Sequence, residues 1–230
     1  MAKNKSNINL HNIEDLKDSF SEFLYNHIFT SNEEIKFINK LLEKDDLLIF
    51  GGVIKDFLLA IRESKEFYDI DFKDIDLVAT NIQDEIKEFL NDYSIRVNVF
   101  GGFKLKLDNK DYDLWEMENT WAFKEFPQLG FDLENYLPKT SFFNSTAILY
   151  SIKKNEFIFE RQNYEKFYVD NELDIVLESN PYPELCIVKS YDYYYKHNVQ
   201  IAKSLRDYIL KKYRLEENKL EQTQVNYYGK

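Results

Sequence analysis

The chain has 230 residues, of which 44% are hydrophobic and 17% aromatic, so it is long and apolar enough to fold around a core. A single cysteine, Cys186, excludes a disulfide framework or a zinc cluster built on cysteine pairs, and favours a reducing, cytoplasmic setting. The net charge of −11, with Lys and Arg scattered among acids, disfavours a long duplex or an intact tRNA relative to a small substrate or a short oligonucleotide.

Membrane segments are not predicted. The N-terminal residues lack the apolar run of a secretory signal, and no stretch of about twenty apolar residues occurs. We therefore expect no direct membrane insertion, which still allows a partner that is itself embedded in a membrane.

Two helices are predicted at the N-terminus. The first covers Ile13 to Ile28. The second follows Ser31, which forms a capping box with Glu34, and runs to Leu42. A short apolar strand comes next, at Leu47 to Phe50.

The middle of the chain mixes strands with helices. Gly51-Gly52 breaks the first strand, and Val53 to Ile61 repeats apolar residues at helical spacing. A strand at Ile75 to Val78 and a helix at Ile82 to Leu90 follow. Further strands are predicted at Ile95 to Phe100, Phe103 to Leu107 and Tyr112 to Met117, with a hairpin turn at Asp108-Asn109-Lys110.

The C-terminal half carries weaker signals. Strand or helix character is mixed at Thr140 to Tyr150 and Glu156 to Arg161, and Leu185 to Tyr213 is predicted to form one or two helices after Pro181 and Pro183. The fold class is therefore α+β, or mixed α/β, with a mixed sheet, N-terminal helices and a short C-terminal helical region. The predicted divisions are N-terminal helices packed on the core (1–46), a sheet domain (47–180), a helical segment (181–215) and a flexible tail (216–230).

The Gly51-Gly52 pair lies between a strand and a helix, where it removes two side chains and allows close approach to the backbone. Its amides and the helix N-terminus form a cradle suited to phosphate oxygens. Taken alone, the pair is equally typical of an ordinary strand-to-helix turn.

Asp74 and Asp76 add specificity, because side chains two residues apart on a strand project from the same face. Two carboxylates this close repel one another unless a cation lies between them. Hard oxygen ligands suit Mg²⁺, with Mn²⁺ as the alternative. A solvated acidic loop that also includes Asp69 and Asp71 is the competing interpretation.

A site for two metal ions needs a third acid. Asp113 is the first candidate because it lies within a strand, between the apolar neighbours Tyr112 and Leu114. Asp111 shares its face but lies nearer the turn and ranks second. Alternatively, Asp113 pairs with a buried Lys or Arg in a structural role.

These residues resemble a known family. The run GGVIKD followed by DIDLV is similar to the head domain of the poly(A) polymerases and CCA-adding enzymes, which share the polymerase-β-like fold and read Gly-Gly-x-Val-Arg-Asp and then Asp-x-Asp. More loosely, Lys139 to Asn144 resembles their Arg-Arg-Asp-Phe-Thr-Ile-Asn motif, and Pro183 to Lys189 their first neck helix. The resemblance implies a nucleotidyltransferase head at 47–180 and a neck-like segment at 181–215.

The resemblance also implies a reaction, the transfer of a nucleotidyl group from a (deoxy)nucleoside triphosphate to a hydroxyl with release of pyrophosphate. Asp74 and Asp76 would bind both metal ions, while Asp113 would bind the catalytic one and help to deprotonate the hydroxyl. The implied nucleotide and phosphate ligands are Gly51, Gly52, Lys55 and Asn144. For Asn144, satisfying backbone groups is an equal alternative.

The sequence departs from the family at several points. Lys55 replaces the Arg of the first motif, which keeps the charge but loses its bidentate geometry. The neck motif with which CCA-adding enzymes read the incoming base is absent, and we expect no body or tail that could clamp tRNA. We therefore expect an activity other than CCA addition.

The size, the acidic balance and the segment DLWEMENTWAF resemble small relatives from bacterial toxin and antiphage systems. Among these, the Hailong-type defence nucleotidyltransferases make short DNA oligomers and act with a membrane channel effector, and some use a C-terminal tyrosine as primer. The resemblance implies short-oligonucleotide synthesis in antiphage defence, a membrane effector as partner, and Tyr227 or Tyr228 as primer. A passive tail is the alternative.

Two other functions stay open. A toxin-type enzyme that modifies tRNA ends or a protein hydroxyl is the second hypothesis, and a catalytically silent nucleotide-binding regulator is the hypothesis from another class. A cluster of four tyrosines is predicted to be helix core rather than a base-stacking platform: Tyr191, Tyr193, Tyr194 and Tyr195. Trp115 and Trp121 are also predicted to be core.

Overall fold

The computed structural model describes residues 8–43, 45–70, 72, 74–80, 88, 90–93, 95–97, 101–125 and 133–229. The chain forms two compact units. Met1–Pro138 and Ile148–Phe159 make the first, and Lys139–Ala147 and Glu160–Lys230 make the second. Within the second unit, residues 160–180 pair with residues 139–147 through a bridge between Phe143 and Ile175.

The first unit contains a seven-stranded sheet. Its strands are β1 (Leu47–Phe50), β2 (Asp74–Ala79), β3 (Ile95–Val97), β4 (Phe103–Leu107), β5 (Lys110–Glu116), β6 (Ile148–Ser151) and β7 (Glu156–Phe159). They lie in the order β3-β4-β5-β2-β1-β6-β7. Because β2 and β5 run parallel while the other described neighbours run antiparallel, the predicted mixed sheet is confirmed.

The described helices of the first unit are α1 (Ile13–Phe23), α2 (Asn32–Leu42), α3 (Gly52–Arg62), α4 (Trp121–Glu125) and α5 (Leu133–Tyr136). A π-helical turn, Leu24–Ile28, extends α1 to its predicted end. The predicted capping box is also confirmed, since Ser31 accepts from the Glu34 amide and Glu34 accepts from the Ser31 amide. The predicted helix at 82–90 lies largely outside the described residues, as do 98–100 of the predicted strand that became β3.

The hairpin between β4 and β5 turns on two residues. Asp108 and Asn109 have φ angles of 44° and 69°, the positive values of a type I′ turn, whose twist matches that of the strands. The predicted turn was one residue longer, but Lys110 already pairs with Leu107. This pairing fixes which residues of β4 lie opposite each residue of β5.

The two faces of the sheet are covered differently. On one face, Phe20 of α1 packs against Phe57 of α3 and Tyr150 of β6, with ring centroids 5.0 and 4.8 Å apart. On the other face, Leu48, Val78 and Leu149 form a buried cluster with residues from the segment between β5 and β6. Because Val78 shares its face with Asp74 and Asp76, this cluster closes the end of the acidic face that lies farther along β2.

Glu34 joins the N-terminal helices to the sheet. Its side chain is fully buried, accepts a hydrogen bond of 2.7 Å from the Tyr112 hydroxyl and lies 3.0 Å from the Lys110 ammonium. Burial would raise the pKa of Glu34, but Tyr112, the Ser31 amide and Lys110 together hold it below its ordinary value. The carboxylate is therefore charged and fully satisfied inside the fold.

The second unit is mainly helical. It contains α6 (Arg161–Tyr164), α7 (Pro183–His197) and α8 (Lys203–Tyr228), with β8 (Glu172–Leu173) and β9 (Gln200–Ile201) forming a parallel pair. Asn198, in the left-handed conformation with φ 48°, ends α7. Pro183 occupies the first turn of α7, where its missing amide costs no hydrogen bond.

The stretch predicted as a flexible tail continues α8 as a helix to Tyr228, where Gly229 caps it in the left-handed conformation, and its flexibility stays a prediction. This stretch is polar but rich in strong helix formers, namely Glu, Lys, Leu and Gln, so its composition is compatible with a helix. Within the described residues, no helix combines the length and the apolar character needed to cross a membrane.

Candidate active site

The acidic residues predicted from the sequence meet on one face of the sheet. The parallel register of β2 and β5 sets Asp74 beside Asp111 and Asp76 beside Asp113. All four side chains occupy alternate positions, so they project from the same face, while Ile75 and Tyr112 project from the opposite face into the core. The structure thus places the three predicted metal ligands on adjacent strands and keeps Asp111 near them.

The four carboxylates differ in environment. Asp74 and Asp111 are exposed, Asp76 is partly buried, and Asp113 is 9% exposed. Burial, followed by the negative charges of Asp113 and Asp74, raises the pKa of Asp76 to about 6. A hydrogen bond from the Trp115 indole opposes this shift. The pair Asp76 and Asp113 therefore concentrates negative charge that a cation would stabilise.

Lys104 supplies one such cation, and sequence reasoning missed it. It lies opposite Asp113 in the register of the hairpin, and its ammonium is 2.9 Å from Asp113 Oδ2. The alternation in β4 and the short turn could have revealed it, because counting back from Lys110 places residue 104 opposite residue 113. Asp113 thus pairs with a cation, but Lys104 is exposed, so it is not the buried Lys or Arg of the structural alternative.

Asp76 and Asp113 could bind a magnesium ion, because one oxygen of Asp113 has no other partner among the described residues. The Oδ1 atom of Asp113 is buried and has no hydrogen-bond partner in the described part of the chain. In that same part, no three Asp, Glu, His or Cys side chains converge closely enough to hold a metal ion as they stand. Since Mg²⁺ commonly takes one or two carboxylates and completes its shell with substrate phosphates and water, Asp76 and Asp113 suit it as a pair.

The glycine turn lies at the same end of the sheet. The antiparallel register pairs Ile49 with Leu77, the residue after Asp76, and Gly51 follows Ile49 by two residues. Gly51 has φ 31°, a value that favours glycine, and its amide donates to the Ile148 carbonyl at 3.0 Å. The amide cradle predicted from the sequence therefore begins at Gly52, the first residue of α3.

Two further predicted ligands are engaged within their own units. The Lys55 ammonium lies 2.8 Å from Asp56 Oδ1. In the second unit, the Asn144 amide donates to the Glu172 carbonyl at 2.9 Å and accepts from the Asp174 amide at 3.0 Å. The backbone role weighed for Asn144 is thus observed, and contacts of either residue with a nucleotide stay predictions.

A groove of about 550 Å³ opens at the exposed end of the acidic face, where Asp74 and Asp111 lie, and its lining does not include Asp76 or Asp113. It is lined by Asp74 and Asp111 and by three cationic side chains, Arg96, Lys104 and Lys106. Carboxylates beside basic residues can hold a metal ion and the phosphates that it binds at the same place.

Gly102 packs against the ring of Trp115, next to the acidic residues. A Cβ at this position would lie 2.7 to 2.8 Å from atoms of the Trp115 ring, the indole that donates to Asp76. We expect Gly102→Ala to lower the free energy of unfolding by about 1–3 kcal/mol, because the indole must move out of a packed position. Urea unfolding measures this change.

Gly52→Ala is the matched control for that substitution. A Cβ at Gly52 meets nothing within 4 Å, and the position is helical, so alanine is sterically accepted. Equal unfolding free energies for the two variants would contradict the close packing of Trp115 on Gly102.

The predicted primer residues lie at the end of α8 in the second unit. The Lys189 ammonium stands 5.1 Å from the centre of the Tyr227 ring, and the Lys196 ammonium 5.1 Å from that of Tyr228. Burial, followed by the charge of Asp192, raises the pKa of the Tyr228 hydroxyl. Tyr227 is 39% exposed and its ring is the more accessible of the two.

The fold is similar to that of solved CCA-adding enzymes and tRNA nucleotidyltransferases. A solved CCA-adding enzyme in its apo form is similar to this chain with a TM-score of 0.62 at 14% identity, covering 90% of this chain and 49% of that one. The complex of a CCA-adding enzyme with ATP gives a TM-score of 0.62 at 13% identity, covering 90% and 50%. A tRNA nucleotidyltransferase with a primer tRNA and an incoming ATP analogue gives 0.54 at 17% identity, covering 78% and 50%.

The present chain therefore spans about half the length of these enzymes. At such identities the similarity is one of fold, and it agrees with the fold predicted from GGVIKD and DIDLV. No family model matches the sequence, and no curated protein matches it either.

Proposed function

We propose that this chain transfers a nucleotidyl group from a nucleoside triphosphate to a hydroxyl, with release of pyrophosphate. The observation that carries the proposal is the side-by-side placement of Asp76 and Asp113 on two parallel strands, with a free carboxylate oxygen at Asp113 and the glycine turn close by. Phosphoryl transfer needs charge neutralisation and positioning more than covalent chemistry, and this arrangement offers both.

Each part of the site has a role in this proposal. Asp76 and Asp113, with Asp74 beside them, would hold Mg²⁺ or Mn²⁺, which would supply neutralisation of the triphosphate and acidification of the attacking hydroxyl. The amides that begin at Gly52, together with Lys55, cradle phosphate oxygens. Lys104, whose ammonium lies 2.9 Å from Asp113 Oδ2, would supply a positive charge to the phosphate groups of a bound triphosphate.

Pyrophosphate release tests the proposal directly. The purified protein is incubated with Mg²⁺ and each ribo- and deoxyribonucleoside triphosphate in turn, and pyrophosphate is measured with and without EDTA. We expect release with at least one triphosphate and none in EDTA. Binding of a triphosphate without release, under all conditions and with partner proteins added, would instead support the catalytically silent regulator.

The proposed product is a short oligonucleotide made in antiphage defence, as in the Hailong-type enzymes, with a membrane effector as partner. Tyr227 and Tyr228 are the proposed primers, and Tyr227 is the better of the two because its ring is more exposed. Since both rings pack against lysines of α7, priming requires the end of α8 to separate from that helix.

Self-priming predicts nucleotides linked covalently to the protein. We expect Tyr227→Phe to remove most of the linked product, measured by intact-protein mass spectrometry, and Tyr228→Phe to retain it. A linked product that survives in the double Phe variant would contradict tyrosine priming while leaving nucleotidyl transfer in place.

The second candidate acceptor is the 3′ end of tRNA, favoured by the primer tRNA held in one of the similar solved structures. In this case the protein would act as a toxin or a tRNA-modifying enzyme. Incubation with total tRNA and labelled triphosphates distinguishes the two acceptors, because label would then appear in tRNA rather than in short oligomers or protein.

A further inference from the structure

Three tyrosines of α7 lie on the surface of the second unit. Tyr191, Tyr194 and Tyr195 are 51%, 50% and 78% exposed, whereas Tyr193 is buried. The prediction that the whole run is helix core is therefore wrong. Successive helical residues point about 100° apart, so the face that packs Tyr193 leaves its neighbours outside.

The exposed tyrosines line a groove of about 380 Å³ between α7 and α8. Arg206, Ile209 and Leu210 of α8 form its opposite wall. The rings of Tyr194 and Tyr195 meet edge to face, with centroids 5.2 Å apart, so each keeps a face available for stacking. This volume lies within the range of sites for small ligands and can accept a nucleobase with its sugar.

The stretch of sequence that contains the groove is basic although the whole chain is acidic, and Arg206 is the charged residue in the lining of the groove. Between Cys186 and Arg214 the sequence holds seven Lys or Arg residues and two Asp residues, in a chain of net charge −11. Asp192, one of these acids, lies 2.8 Å from the Lys196 ammonium and is neutralised by it. Arg206 makes no ion pair with any described residue, so its guanidinium is available to a ligand.

We propose that this groove binds single-stranded nucleic acid. One or two unpaired bases stack on Tyr194 and Tyr195, and Arg206 contacts the phosphate that follows them. Aromatic platforms beside basic residues bind single strands of any sequence, because every base presents a π face once it is unstacked. A duplex keeps its bases stacked and cannot use the platform. The inference rests on the proposed function insofar as the bound strand is the acceptor or the product of transfer.

Direct binding tests the proposal without any catalysis. Fluorescence anisotropy of a labelled oligothymidylate of about ten nucleotides is measured in EDTA, with the full chain. We expect the Tyr194→Ala/Tyr195→Ala variant to bind at least about tenfold more weakly, and the corresponding double Phe variant to keep most of the affinity because stacking survives. A duplex of the same length should bind more weakly than the single strand.

Two further variants sharpen the result. Arg206→Gln should weaken binding and reduce the dependence of log affinity on log salt by about 0.7, the share of one phosphate contact on a single strand. Tyr68→Ala is the control, because Tyr68 lies in the first unit and is 74% exposed, close to the 78% of Tyr195. This substitution should leave oligonucleotide binding unchanged.

The remaining outcomes separate this inference from the proposed function. Oligonucleotide binding without pyrophosphate release would support the groove and contradict the proposed function. If the oligonucleotide binds equally well to the double Ala variant, or does not bind at all, the proposal is overturned. A concentration-dependent dimer in sedimentation, lost in the double Ala variant and accompanied by no oligonucleotide binding, would identify the groove as a self-interface instead.

Discussion

Asp113→Asn is expected to lower the rate of pyrophosphate release about 100-fold or more. The substitution keeps the size of the side chain but removes the negative charge that lies beside Asp76 and faces Lys104. The buried Oδ1 atom, which has no partner in the described part of the chain, would no longer offer a charged ligand to Mg²⁺. Losses of this size follow the removal of a group that stabilises developing charge in the transition state.

Asp111→Asn is the matched control, because it changes the same residue type on the same strand and face. Asp111 is exposed and pairs in register with Asp74, so its loss should lower the rate less than about tenfold. Circular dichroism and urea unfolding would show that both variants are folded. A nearly normal rate in Asp113→Asn, together with an inactive Asp111→Asn, would identify Asp111 as the third acid.

Glu34→Ala is expected to lower the free energy of unfolding by about 3 kcal/mol at pH 7. The substitution leaves the Tyr112 hydroxyl and two backbone amides without their buried acceptor, and it removes the charge that balances Lys110. The value lies at the low end for a broken buried pair because the Lys110 side chain is 26% exposed and can reach water. Urea unfolding measures the difference.

The dependence of this difference on pH follows from the pKa of Glu34, which is lower in the folded chain than its ordinary value of 4.5. A carboxylate of this kind contributes stability above its unfolded pKa and loses it as the pH falls through its folded pKa. The gap between the parent chain and Glu34→Ala should therefore be constant near neutral pH and shrink below about pH 4.5. Glu33→Ala, an exposed neighbour on α2, should cost less than about 1 kcal/mol, and a gap that stays constant down to pH 3 would contradict the assignment.

Much of the first unit could be predicted because its local signals agree with one another. The capping box at Ser31, the glycine break after Phe50 and the alternation in Phe103 to Leu107 each specify an element by sequence spacing alone. Asp74, Asp76 and Asp113 were predicted in the same way, because residues at alternate positions of a strand project from the same face. The parallel pairing of β2 with β5, which brings Asp113 beside Asp76, is a long-range contact and required the structure.

The second unit was predicted less well for a physical reason. Its elements are held by side-chain contacts between distant segments, such as those of Asn144 with Glu172 and Asp174, and these leave no periodic pattern. The exposed tyrosines of α7 show the same limit. Composition reveals that a tyrosine can be buried, but the packing of a neighbouring element decides which ones are.

The two-residue turn at Asp108 and Asn109 has a consequence for how this protein can vary. Side chains alternate between faces with a period of two, so one added residue would bring Leu105 opposite Asp113 and turn Lys104 towards the core, unless a bulge absorbed it. Changes in loop length are usually the best tolerated of all changes, yet here they would exchange a charged partner for a hydrophobic one. The length of the turn must therefore be kept for Lys104 to stay opposite Asp113, even though neither Asp108 nor Asn109 is a proposed ligand.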